Sequence, residues 1–255
     1  MENGNDQGNP DYPYYDAKPV ELRWLDWLIV LGATALGFAA LSKAVPGLID
    51  MMPIPVYSFL AAVAFGAIPL AALYWRAKGH IGVLFNGWKW SYLGWGIGFG
   101  ILNLVFTAGA GLLAIALLDL APNERIAALA HSAPPQGYLY FYAKTGIQLF
   151  GEEVLTIIPF LFLLWLGVAK LGWSRKSAVI LAYIGSAVIF GAAHLPTYDW
   201  NVAQALLLIG PIRLVLTLAY MKTKSMWTCT IAHVFNDWTL FTASTVLGGL
   251  AAASG

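Results

Sequence analysis

The chain has 255 residues, 59% of them hydrophobic and 11% charged, with a formal net charge of +1 and a mean hydropathy of +0.69. A soluble domain carries roughly 25% charged residues to wet its surface, so this composition excludes a water-soluble globular protein. The near-zero net charge excludes the concentrated basic face that nucleic-acid binding needs.

Residues 1–21 (MENGNDQGNPDYPYYDAKPVE) are polar and rich in Pro, Gly and Asn. They lack the basic start, short apolar core and small-residue cleavage site of a signal peptide, and are expected to form a disordered cytoplasmic tail. The remainder, 22–255, reads as a single transmembrane helical domain. A helix needs roughly 20 apolar residues to cross a bilayer. Seven stretches qualify, at about 22–41, 56–75, 92–118, 139–169, 178–194, 200–220 and 226–252. The expected fold class is an all-α membrane protein of about seven transmembrane helices. Between the third and fourth spans, 119–137 is expected to hold a short surface helix stopped by Pro134-Pro135. Gly210-Pro211 predicts a kink in the sixth span. The lone cysteine, Cys229, allows no intrachain disulfide and no cysteine-based metal cluster.

The basic residues fix the orientation independently. Lys18, Arg23, Arg76, Lys78, Lys89, Lys170, Arg175, Lys176, Lys222 and Lys224 fall on one side of a seven-span chain, whereas only Lys43 and Arg125 fall on the other. Lys144 and Arg213 lie within spans. Basic loops stay cytoplasmic, which predicts a cytoplasmic N-terminus and a C-terminus outside.

Ionisable side chains are costly in hydrocarbon and mark functional sites. The fourth span carries Lys144, Gln148, Glu152 and Glu153; the fifth ends in His194; the sixth carries Arg213; the seventh carries His233, Asn236 and Asp237. Adjacent carboxylates resist ionising together, and one poised near neutrality suits general-base work on water. A structural polar cluster with Lys144 or Arg213 as counter-charge, or a proton or ion pathway, fits the glutamate pair equally well. Two histidines on separate spans favour one shared wet cavity. Counted at ~1.5 Å per residue, Glu152 and His194 reach similar heights, but His233 lies only ~10 Å from Met226. A shared pocket therefore demands that the seventh helix start deep or tilt. His80 and His131, in loops, are assigned no role.

The pattern EEVLTI at 152–157, FGAAH at 190–194 and HVFND at 233–237 resembles the EExxxR, FxxxH and HxxxN/D motifs of the CAAX protease and bacteriocin-processing (CPBP, or Abi) family of intramembrane glutamic proteases. The run 218–237 resembles the family's approach to its last motif, and the likeness covers about 138–240. The resemblance implies that Glu152 is the general base that activates water, assisted by His194, with Glu153 supporting the site. His233 and Asp237 would stabilise the oxyanion, with Phe190 and Asn236 as further support. Two positions depart from the pattern. Ile157 stands where the family has Arg, leaving Arg213 as a substitute from another span. Asp237, if ionised, donates no hydrogen bond, so it is protonated, or it orients His233, or Asn236 supplies the donor.

The expected activity is hydrolysis of a peptide bond in a membrane-associated protein or peptide by Glu-activated water, without a cofactor, in a bacterial or archaeal plasma membrane. Alternatives are a zinc-dependent protease with Glu152, His194 and His233 as ligands, a catalytically silent self-immunity or partner-binding protein, and a transporter. The absence of an internal repeat weighs against the last.

Overall fold

The computed structural model describes residues 11–43, 49–131, 134 and 136–254. The helices are α1 (Trp24–Ser42), α2 (Ile54–Arg76), α3 (Trp90–Leu117), α4 (Glu124–His131), α5 (Tyr138–Trp165), α6 (Arg175–Ala193), α7 (Val202–Gln204), α8 (Gly210–Thr223) and α9 (Met226–Ser254). No strand occurs among the described residues. This is the all-α membrane architecture that the apolar stretches imply, and α4 is the short helix expected between the third and fourth spans.

Among the described residues, six stretches are long and apolar enough to cross a membrane: α1, α2, α3, α5 with its extension to Lys170, α6, and Val202–Thr223. The exterior is correspondingly oily. On α3, Leu112, Leu113 and Ile115 are 61–73% exposed, surface that only lipid tails would solvate. α5 is the opposite case, with 78% of its apolar window buried against 17% for α3. The helix that carries both glutamates is thus the axis of the bundle. Gly151 lets α2 approach it: a Cβ there would lie 2.5 Å from the Phe65 ring.

At Gly210-Pro211 the chain forms a π turn, Ala205–Ile209, that joins α7 to α8. Proline lacks an N–H and its ring collides with the carbonyl four residues earlier. Widening the preceding turn by one residue relieves both problems without a break.

The connections sort into two ends. At one end, Asn86 donates to the Lys224 carbonyl at 2.7 Å, and Ser225 donates to the Phe85 carbonyl at 2.6 Å. Arg76 donates from Nε to Asp26 at 2.6 Å. The loops rich in Lys and Arg therefore meet one another. At the other end, Asn201 donates to the Asp119 carbonyl at 2.6 Å, Gln204 to the Ala121 carbonyl at 3.0 Å, and Tyr140 to the Pro55 carbonyl at 2.6 Å.

The N-terminal segment differs from the disordered tail expected of it. Residues 1–10 lie outside the described residues, but 11–22 fold across the basic end. Tyr12, Tyr14 and Leu22 are buried, and the Tyr14 hydroxyl donates to the His80 carbonyl at 2.7 Å. Asp11 is paired with the Arg175 guanidinium, with Nε donating at 3.2 Å. The physical reason lies in three tyrosines within a polar run: each buries a large apolar ring while its hydroxyl finds a partner or stays wet.

Candidate active site

The site is built where α5, α6, α8 and α9 meet. Glu152 and Glu153 are successive residues, so their side chains leave α5 about 100° apart and serve different neighbours. Glu153 turns into the protein and is fully buried. Arg213 of α8, also fully buried, donates from Nη1 and Nη2 to its two carboxylate oxygens at 2.5 and 2.6 Å. The fork-to-fork geometry matches a guanidinium to a carboxylate. Arg213 also stacks over the Phe190 ring, 5.0 Å from its centroid. The arginine absent at Ile157 is thus supplied from a different helix. Ile157 itself is buried in the apolar core beside Leu161 and Leu164.

His233 of α9 contacts Glu153 through Nδ1 at 2.7 Å. Because the carboxylate is an acceptor, Nδ1 carries the proton and Nε2 is left facing the cavity. The height mismatch is resolved by where α9 begins. Lys224, Ser225 and Met226 are already buried beneath the 77–89 loop and the N-terminal segment, with Lys224 Nζ 4.3 Å from the Tyr12 ring. The helix starts inside the body, so seven residues suffice to bring His233 level with the glutamates.

Glu152 faces the other way, into the cavity. Its Oε2 lies 3.8 Å from His233 Nε2 and 4.0 Å from His194 Nε2. Gln148, one turn earlier, donates to its Oε1 at 3.0 Å, and Thr156, one turn later, donates to its carbonyl at 2.9 Å. His194 closes the end of α6. Its Nδ1 donates to the Phe190 carbonyl at 2.8 Å and its ring lies 4.3 Å from the Phe190 ring. A carbonyl only accepts, so Nδ1 holds the hydrogen and neutral His194 presents an Nε2 lone pair to the cavity. The FxxxH spacing thereby has a local purpose: the residue one turn back supplies both the anchoring carbonyl and the stacking ring.

Asp237 lies one turn beyond His233, with Oδ1 3.7 Å from its Nε2. That is too long for a hydrogen bond, so orientation of His233 falls to Glu153. Asn236 donates to Asp237 Oδ1 at 2.8 Å. Lys144, the other candidate counter-charge, lines the cavity wall.

Glu152, His194, Arg213, His233, Asn236 and Asp237 border one open cavity of about 1380 Å³, reached from the end that holds Asp119, Asn201 and Tyr198, whereas Glu153 lies behind its wall. The sequence reading passed over Tyr198, whose ring stacks on His194 at 6.5 Å, and Asn103 of α3, which is fully buried in the cavity wall. Asn103 obeys the same rule as the glutamates, a polar group in an apolar helix. Tyr198 sits in a short connection and offered no such signal. Among the described residues, no group of three or more His, Cys, Asp or Glu side chains is arranged to hold a metal ion.

Residues 134–239 match the family model described as type II CAAX prenyl endopeptidase Rce1-like. No curated protein and no solved structure matches the chain. The match covers less than half of the chain; α1 to α4 lie outside it, and every residue of the glutamate–histidine–arginine cluster lies inside it. The match at 134–239 agrees with the CAAX protease family that the three motifs resemble.

Proposed function

We propose that the chain is an intramembrane endopeptidase that hydrolyses a peptide bond with a water activated by Glu152. The observation that carries this reading is the division of labour between adjacent carboxylates: Glu153 is matched by Arg213, while Glu152 faces the cavity between two imidazole Nε2 atoms at 3.8 and 4.0 Å. A water ~2.8 Å from the carboxylate and from an imidazole nitrogen fits over a pair at that separation.

In the reaction, Glu152 takes a proton from that water while the His194 Nε2 lone pair accepts its second hydrogen and aims the oxygen. The water oxygen bonds to the scissile carbonyl carbon, and the carbonyl oxygen becomes an oxyanion. Protonated His233 donates from Nε2 to that oxyanion, held in place by Glu153 through Nδ1. Collapse breaks the C–N bond, and Glu152 passes its proton to the leaving amine. Asp237 and Asn236 form a hydrogen-bonded pair at the edge of this site.

With α9, 29 residues long, as the seventh crossing, the basic end is cytoplasmic by charge bias and the cavity opens to the opposite face. The substrate would then be a membrane-associated protein or peptide presented on the non-cytoplasmic side.

The test is cleavage of a peptide library by purified protein beside its Glu152→Gln variant. The variant should lose activity a hundredfold or more, the scale of general-base catalysis, and keep its thermal melting. Undiminished cleavage by Glu152→Gln refutes the reading. Cleavage by neither protein favours the silent, partner-binding alternative.

A further inference from the structure

The third helix lies outside the family match, and the proposed mechanism uses none of it. It nevertheless forms a wall of the same cavity. α3 approaches α9 through glycines: a Cβ at Gly96 would lie 2.6 Å from Ile231, and one at Gly100 would lie 2.8 Å from Phe235. Four residues along α3 match four along α9, so the two helices advance together. One turn further on this register, Asn103 stands level with the turn of α9 that follows Phe235, and it lines the same cavity as Asn236 and Asp237.

Asn103 exposes none of its surface, yet neither its Nδ2 nor its Oδ1 has a hydrogen-bond partner. Thr107, on the following turn, has a buried and unpartnered Oγ1, and the Asn236 Oδ1 is in the same condition. All three residues line the cavity. Buried polar groups without partners are rare and destabilising in native proteins, and here several collect on one ledge next to reactive groups.

We propose that Asn103, with Thr107 beside it, binds the backbone of an extended peptide substrate. This inference rests on the protease reading of the cavity. A primary amide presents a donor and an acceptor in one plane, the complement of a peptide's C=O and N–H. Such recognition reads the main chain and is indifferent to side-chain identity. It also puts an amide donor on the cavity that Asp237 lines, where an ionised carboxylate has no hydrogen to give.

The test uses the full-length protein in detergent, carrying Glu152→Gln so that the ligand survives. The probes are a short fluorescein-labelled peptide of alanine and serine and its counterpart methylated at the backbone nitrogens, with binding read by fluorescence anisotropy. Adding Asn103→Ala should weaken binding of the first peptide about tenfold, the scale of one to two hydrogen bonds, and leave the methylated peptide unaffected. Asn103→Leu, close in shape but apolar, should lose the same affinity while melting at or above its parent. No binding to the parent, equal binding after Asn103→Ala, or a melting point several degrees lower in Asn103→Leu would each overturn the proposal. The protease reading fails separately: protein with Glu152 intact that binds the peptide through Asn103 and cuts nothing keeps the ledge and removes the hydrolase.

Discussion

Arg213 and Glu153 meet as a bidentate ion pair with neither side chain exposed, although sixty positions separate them in the chain. The pair joins α8 to α5 and, through His233 Nδ1, α9 to both. A buried charge without its partner is strongly destabilising, by about 3–5 kcal/mol. Arg213→Met should therefore lower the thermal melting point sharply, and the double variant Arg213→Met with Glu153→Gln should recover much of it without recovering cleavage. Melting by intrinsic tryptophan fluorescence checks both. A double variant no more stable than Arg213→Met would mean that the pairing is not what the single change removes.

The orientation of the cavity is open to a labelling experiment that needs no substrate. Cys229 is fully buried, so the native chain should give little background with a membrane-impermeant maleimide. Asp199→Cys, at the cavity mouth, should label in intact cells. Lys176→Cys, at the basic end, should label only after permeabilisation. The reverse pattern would place the cavity on the cytoplasmic side.

The N-terminal segment should behave as part of the fold. Tyr14 is fully buried and its hydroxyl is bonded to the His80 carbonyl, so Tyr14→Ala should cost about 3 kcal/mol. Burial tends to raise the Asp11 carboxyl, but hydrogen bonds from Arg175, Tyr15 and the Tyr12 amide outweigh it and hold Asp11 below the usual carboxylate range. With the folded value below the unfolded one, this contribution is complete above about pH 4 and fades as pH falls through the folded value. Limited proteolysis between residues 11 and 22 should accordingly quicken in acid, and Asp11→Asn should be cut at the acid rate already at neutral pH. A nicking rate unchanged by Asp11→Asn would remove the ion pair as the latch.

Chelation separates the two hydrolytic chemistries. Glu152, as a base acting on a free water, should retain its activity after dialysis against a strong zinc chelator. Loss of activity that added zinc restores would instead assign Glu152, His194 and His233 to a metal, with the metal activating the water.

What the sequence could decide by itself was whatever follows from local periodicity and solvent preference. The apolar runs, the charge asymmetry of Arg76, Lys89, Arg175 and Lys222, the short helix before Pro134, and the polar set Glu152, Glu153, His194, His233 and Asp237 could all be read there, because bilayer thickness and the cost of a charge in hydrocarbon act on each segment independently. Tertiary structure alone decided the pairings. Ile157 announces a missing arginine, but only the meeting of α8 with α5 makes Arg213 its replacement. The polar composition of residues 1–21 suggests disorder, yet from residue 11 onward the tyrosines find a surface made by several other segments, among them α1, α5, α6 and α8. Asn103 looks like any polar residue in a glycine-rich helix until α9 is laid beside it. A partner dozens of residues away leaves no local mark: burial, counter-charge and cavity belong to the assembled bundle and to no single stretch of it.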